Sequence, residues 1–135
     1  MPTSFADSGT ISINSYDVMY TIENGIVESI SLEPDFLQLI IIMNTENDGT
    51  IEINIPRAIL DAKFETTDDI FFVLVDGFET DYIEKNSDST SRTLVIPFFG
   101  GDSIIEIIGT ESKEPLDSKT QTEIPDWVKN NAGWW

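Results

Sequence analysis

A two-residue beat, broken at short intervals by turn-forming residues, constrains this chain more than any other feature. In Thr50-Ile51-Glu52-Ile53-Asn54-Ile55 the three isoleucines share one face and Glu52 and Asn54 the other, because successive strand side chains point to opposite sides. Thr10-Ile11-Ser12-Ile13 repeats the beat, and Val18-Met19-Tyr20-Thr21-Ile22 and Ile26-Val27-Glu28-Ser29-Ile30-Ser31-Leu32 follow it. Between the last two stands Asn24-Gly25, a pair that accepts the positive φ of a type I′ turn and predicts a hairpin. Pro34-Asp35 breaks the chain. Phe36-Leu37-Gln38-Leu39-Ile40-Ile41-Ile42-Met43 then reads as a central strand buried on both faces.

Asn47-Asp48-Gly49 predicts the next turn, and Pro56 ends the strand after it. Arg57-Ala58-Ile59-Leu60-Asp61-Ala62-Lys63 is the best helical candidate, a turn or two at most. Ile70-Phe71-Phe72-Val73-Leu74-Val75 reads as a second buried strand closed by Asp76-Gly77, with Thr80-Asp81-Tyr82-Ile83-Glu84 pairing back as a hairpin arm. Arg92-Thr93-Leu94-Val95-Ile96 and Ser103-Ile104-Ile105-Glu106-Ile107-Ile108 complete the set, joined through Pro97-Phe98-Phe99-Gly100-Gly101. The total of about nine short strands predicts an all-β fold, an antiparallel two-sheet sandwich of the immunoglobulin-like kind.

The beat stops at Gly109. Residues 1–110 are therefore expected to form the β-domain, and residues 111–123 a charged linker without apolar periodicity. Residues 124–135 form a separate motif holding all three tryptophans. Pro125 suits the first turn of a short helix and Gly133 its end. On such a helix Trp127, Val128, Trp134 and Trp135 fall near one face, opposite Lys129 and Asn130, and are the expected partner contacts.

Charge removes several classes of function. Twenty-five acids stand against 7 bases, for a net charge of -18. Nucleic-acid binding needs a basic patch to displace counterions from phosphates, and scattered bases cannot supply one. With no Cys and no His, the chain has no disulfide, no thiolate nucleophile, no Ser-His-Asp triad and no ordinary zinc or copper site. A bound metal would take oxygen ligands, so Ca²⁺ is the one candidate cofactor. No apolar run reaches membrane-spanning length, so insertion of this chain into a bilayer is not expected. Met1-Pro2-Thr3-Ser4 lacks the basic and apolar regions of a signal peptide, which suits a cytoplasmic protein or the mature part of an exported one.

The loop Asn44-Thr45-Glu46-Asn47-Asp48-Gly49 echoes the first half of a calcium loop, but Ile55 stands where the distal bidentate Glu belongs. Glu46 and Asp48, with Glu65, Asp68 and Asp69 from a second acidic loop and Asp76 from a third, are the Ca²⁺ candidates. A turn and a solvated acidic surface are the commoner meanings of such residues. Arg57 and Arg92 could bind an anion through their planar forks, although ion pairs with neighbouring acids are favoured. Phe98-Phe99 either caps the core or forms an exposed aromatic platform. An edge strand could accept a segment such as residues 3–9 from a neighbouring molecule.

Two stretches carry a resemblance. Tyr20-Thr21-Ile22, Gly25-Ile26-Val27-Glu28-Ser29-Ile30, Ile55-Pro56-Arg57, Phe72-Val73-Leu74-Val75-Asp76-Gly77, Arg92-Thr93-Leu94-Val95-Ile96-Pro97 and Ile105-Glu106-Ile107-Ile108-Gly109-Thr110 together resemble a domain of exported, cell-surface proteins of ammonia-oxidising archaea (Nitrososphaerota, formerly Thaumarchaeota). The resemblance spans roughly residues 12–110. Ile124-Pro125-Asp126-Trp127-Val128-Lys129-Asn130-Asn131-Ala132-Gly133-Trp134-Trp135 is similar to a motif of surface proteins in the same group, where it continues into a longer helical unit. Many of those proteins end in a Pro-Glu-Phe-Gly sorting signal, which this sequence lacks. The resemblance implies a location, the archaeal cell surface, more than a mechanism.

The sequence therefore predicts a non-catalytic extracellular module for adhesion, assembly or ligand binding, with a protein partner or self-association at the envelope. The alternatives are a hydrolase-type accessory enzyme working through paired carboxylates, which needs two acids about 5–10 Å apart in a cleft, and a carbohydrate-binding module, which needs aligned exposed aromatics on one sheet face.

Overall fold

The computed structural model describes residues 6–112. Ten strands form: β1 (Ala6–Ile13), β2 (Tyr16–Glu33), β3 (Gln38–Pro56), β4 (Lys63–Phe64), β5 (Thr67–Asp68), β6 (Phe72–Val75), β7 (Phe78–Glu79), β8 (Ile83–Lys85), β9 (Ser91–Phe98) and β10 (Ile104–Ile108). All pairings are antiparallel, as expected. Eight strands join in one sheet, and β4 and β5 make a small second one. Among the described residues there is no α-helix. The predicted helical stretch after Pro56 is one turn, held by Ile59 N–H and Leu60 N–H donating to the Pro56 carbonyl.

The two long strands organise everything else. An extended strand of 18 residues, the length of β2, would run ~60 Å, far beyond a domain of this size, so β2 and β3 bend together. Before the bend, β1, β2, β3 and β9 lie side by side, with β8 beyond β9. This is arm I. On the other side of the bend β2 pairs with the first half of β3, and β10, β6 and β7 follow. This is arm II. Val18, Ile22, Ile51, Ile53, Ile55, Leu94 and Ile96 from arm I meet Leu39, Ile41, Met43, Val73, Ile105 and Ile107 from arm II in one buried cluster. The arms thus fold over a shared core.

Asn24-Gly25 is where the sequence expectation fails most instructively. No hairpin forms there, and β2 runs straight through. Asn24 alone adopts a left-handed φ of 68°, and the register shifts between Glu23 and Gly25 and again between Val27 and Ser29. The inward positions accordingly switch from even numbers (Val18, Ile22) to odd (Val27) and back to even (Ile30). The first irregularity sets Asn24 opposite residues 46–49 of β3 and the second inserts Glu28; each flips the faces of β2, and such bulges also sharpen local twist. Asn47, Asp48 and Gly49 likewise lie inside β3 rather than in a turn. They form the outer side of the corner, where Asn24 Nδ2 donates to the Asp48 carbonyl at 2.8 Å. A Cβ on Gly49 would collide with the Glu23 carbonyl, so the corner needs glycine for close backbone approach.

The chain reverses at other points. Asn14 and Ser15 both take positive φ, 52° and 71°, between β1 and β2. Asp76-Gly77 turns as expected, with φ of 48° and 85°. Its return arm is Phe78–Glu79, however, because Ile83–Lys85 crosses to arm I and pairs with β9. Residues 6–9, expected to be free for donation, are already paired to Thr21, Ile22 and their neighbours in β2.

Candidate functional site

At the end of the arms away from the corner sits a charge network. Asp61, fully buried, accepts from Arg57 Nη1 and from Arg92 Nη1 at 3.0 Å. Arg92 also donates Nε and Nη2 to Glu84 and Nη1 and Nη2 to the Ala62 and Asp69 carbonyls, and its guanidinium lies 4.5 Å from the Phe71 ring centre. Arg57 makes a two-pronged contact with Asp68 and donates Nε to the Asp88 carbonyl. The expected ion pairs are what form, and these guanidinium donors are occupied rather than available to an anion. The hydrogen bonds from Arg57 hold Asp68 well below the usual carboxylate range, and those from Arg92 lower Glu84. Asp61 is the hub that sequence reasoning missed. Its signal was there, four residues after Arg57 on a tight turn.

The six Ca²⁺ candidates are not gathered. Glu65, Asp68 and Asp69 lie near this network. Glu65 is exposed at a left-handed turn, Asp68 is bound to Arg57 and Lys63, and Asp69 accepts from Ile70 N–H. Glu46, Asp48 and Asp76 lie at the corner end. Glu46 is exposed there. Asp48 accepts from Gly100 N–H, and Asp76 from the N–H groups of Ser103 and Ile104, which lowers its pKa. Asp48 thus fastens the β9–β10 loop to the corner and Asp76 fastens its end to the β6–β7 turn, with buried Thr45 donating to the Asp102 carbonyl at 2.7 Å. Among the described residues no three acids come together to hold a metal ion. The expected partner contacts Trp127, Val128, Trp134 and Trp135 lie outside the described residues.

Beside that loop a groove of about 550 Å³ opens at the seam between the arms. Val75 and Phe98, both buried, lie at its base, and Phe78 (77% exposed) and Phe99 (73% exposed) stand at its lip. Phe98-Phe99 therefore divides the two roles foreseen for it: alternation in β9 turns Phe98 into the core, and Phe99, one residue past the strand, points out. Thr80 and Pro97 complete the walls, and Glu79, Asp81 and Asp102 supply negative charge. Asp102 is partly committed, since its Oδ2 accepts from Phe99 N–H. The walls are mainly apolar and the charge is of one sign, so the groove suits an apolar or aromatic group bearing a cation.

Compared with known proteins, the chain matches no family model, no curated protein and no solved structure.

Proposed function

We propose that this chain is a non-catalytic cell-surface module for adhesion, assembly or ligand binding, and that the Phe78–Phe99 groove is its contact site. One observation carries the proposal. Two large aromatic side chains stand exposed beside a mainly apolar groove with acids around it, whereas Arg57, Lys63, Lys85 and Arg92 are all spent in ion pairs. Exposed aromatics over a concave apolar floor are the usual anchor points of a recognition surface. In this reading the two arms serve as the layers of an immunoglobulin-like sandwich, with the binding loops at the corner end. The archaeal exterior is supported by the resemblance of residues 12–110, and a net charge of -18 suits a saline medium that screens self-repulsion.

Carboxylate catalysis has less support. Asp68, Asp76, Glu84 and Asp88 are all held below the usual range by hydrogen bonds, whereas a general acid at neutral pH must be raised. A sugar platform is not favoured either. Among the described residues, the outward positions of arm I carry no aromatic side chain and those of arm II carry Phe72.

Titration with an arylalkylammonium such as tryptamine, followed by amide NMR, tests the groove. Shifts at Phe78, Thr80, Phe99 and Asp102 that saturate at millimolar probe, and vanish in a Phe78→Ser/Phe99→Ser variant, are expected. Shifts spread over the acidic surface, unchanged in the variant and abolished by salt, would contradict it.

A further inference from the structure

The outer face of arm II is apolar, and among the described residues nothing covers it. Pairing in register places Ile42 beside Ile104, Glu106 between Ile40 and Leu74, and Ile108 beside Phe72 on the side opposite the core. Their in-sequence neighbours Leu39, Ile41, Val73, Val75, Ile105 and Ile107 are the buried ones. Phe72 is 44% exposed, and Ile40, Ile42, Leu74, Ile104 and Ile108 are half-buried without packing against the core. Six large apolar side chains around Glu106, with Glu79 beside Leu74 and Glu33 beside Gln38 at the margins, are what a strand sequence written for burial on both faces produces when one face is left open.

We infer that this face is the docking surface for the chain's own segment 124–135. Three observations favour that occupant. First, the chain leaves the described structure at the end of this arm: β10 ends at Ile108, Gly109 N–H bonds to the Leu37 carbonyl, and Ser112 bonds to the Ala58 carbonyl in the turn after β3. The intervening residues 113–123 span at most ~36 Å when extended, ample for a return over the strand just left. Second, segment 124–135 brings Ile124, Val128 and the tryptophans Trp127, Trp134 and Trp135, whose indole N–H groups can donate to Glu106. Third, its only charges are Asp126 and Lys129, so it approaches without the repulsion that opposes a second copy of a chain with net charge -18. A tether of this length also keeps its local concentration high. The inference goes beyond the groove reading and does not depend on it.

Because all three tryptophans lie in 124–135, intrinsic tryptophan fluorescence reports that segment alone. The full chain should show emission blue-shifted from that of the synthetic peptide 124–135, with reduced acrylamide quenching, at every protein concentration. Ile42→Thr/Ile104→Thr, which keeps strand-forming residues on the outer face, should return both readings toward the peptide's while circular dichroism reports an intact sheet. Phe78→Ser/Phe99→Ser should leave both unchanged. Peptide-like emission in the unaltered chain overturns the inference. So does a blue shift lost only in the groove variant, which would place the segment there, and so does one that grows with concentration, which would assign the cover to a second copy. Failure of the groove reading shows separately, in the tryptamine titration.

Discussion

The outer faces of the two arms differ as sharply as the inner faces agree. Arm I turns Met19, Ile83 and Val95 outward among a larger set of polar residues, Ser8, Thr21, Glu52, Asn54, Ser91 and Thr93, that are tied to one another: Ser8 to Thr21 at 3.0 Å, Asn54 to Ser91 and Thr93 at 2.9 Å each, and Lys85 to Glu52. Arm II turns out Ile40, Ile42, Phe72, Leu74, Ile104 and Ile108. Both arms belong to one sheet and share one core, so neither pairing nor burial within the domain explains the difference. What differs is the environment each outer face was composed for. Arm I ends at water, and arm II is written for a cover.

The comparison can be broken at several levels, beginning with the joint between the arms. Asp61 grips Arg92 of arm I, and its backbone bonds Thr110 and Glu111 beyond the last strand of arm II. Asp61→Ala leaves two buried guanidinium groups short of a partner and should cost about 3–5 kcal/mol in urea unfolding. A loss under about 1 kcal/mol would mean that the arms hold together without the network.

Core truncations should not distinguish the arms. Ile53→Ala and Ile41→Ala each remove a fully buried side chain, and each should cost about 2–5 kcal/mol. Outer-face truncations should. Ile42→Ala in arm II is expected to cost about 1–2 kcal/mol, and Glu52→Ala in arm I less than about 0.5 kcal/mol. Equal small costs at both positions would show that arm II is as wet as arm I.

Acid probes the polar ends of both arms. Asp76 and Glu84 have folded pKa values below their unfolded ones. Their contribution is therefore fully present above the ordinary carboxylate range of about pH 4–4.5 and is lost as the pH falls through the depressed values. Melting temperature should decline below about pH 4; Asp76→Asn should flatten the decline. The smallest effect belongs to Ca²⁺. With no acid cluster among the described residues, Ca²⁺ and Mg²⁺ at equal ionic strength should give the same melting temperature, and a specific rise with Ca²⁺ would show a site this account lacks.

Much of the fold was legible because alternation and positive-φ residues are local signals. The strands around Ile51, Leu94 and Ile105, the turn at Asp76-Gly77 and the ion pairing of Arg57 and Arg92 all follow from neighbouring residues. The corner did not. Asn in a left-handed conformation serves a hairpin or a bulge equally well, and which one forms depends on residues 46–49 on the partner strand, more than twenty positions away. The apolar run at residues 36–43 was legible as composition, yet only the register shows that its outward half faces no described element. The groove is half visible in the sequence, at Phe98-Phe99, but its other wall comes from Phe78, brought near by the bend.

The most direct test is a methyl–indole NOE experiment on isoleucine-, valine- and methionine-methyl-labelled protein, with outward methyls from both arms read in one spectrum. Cross-peaks from tryptophan indole protons to Ile42, Ile104 and Ile108 of arm II, and none to Met19 and Val95 on the outside of arm I, are the predicted result. Indole contacts with Met19 or Val95, or with no outward methyl at all, would contradict it.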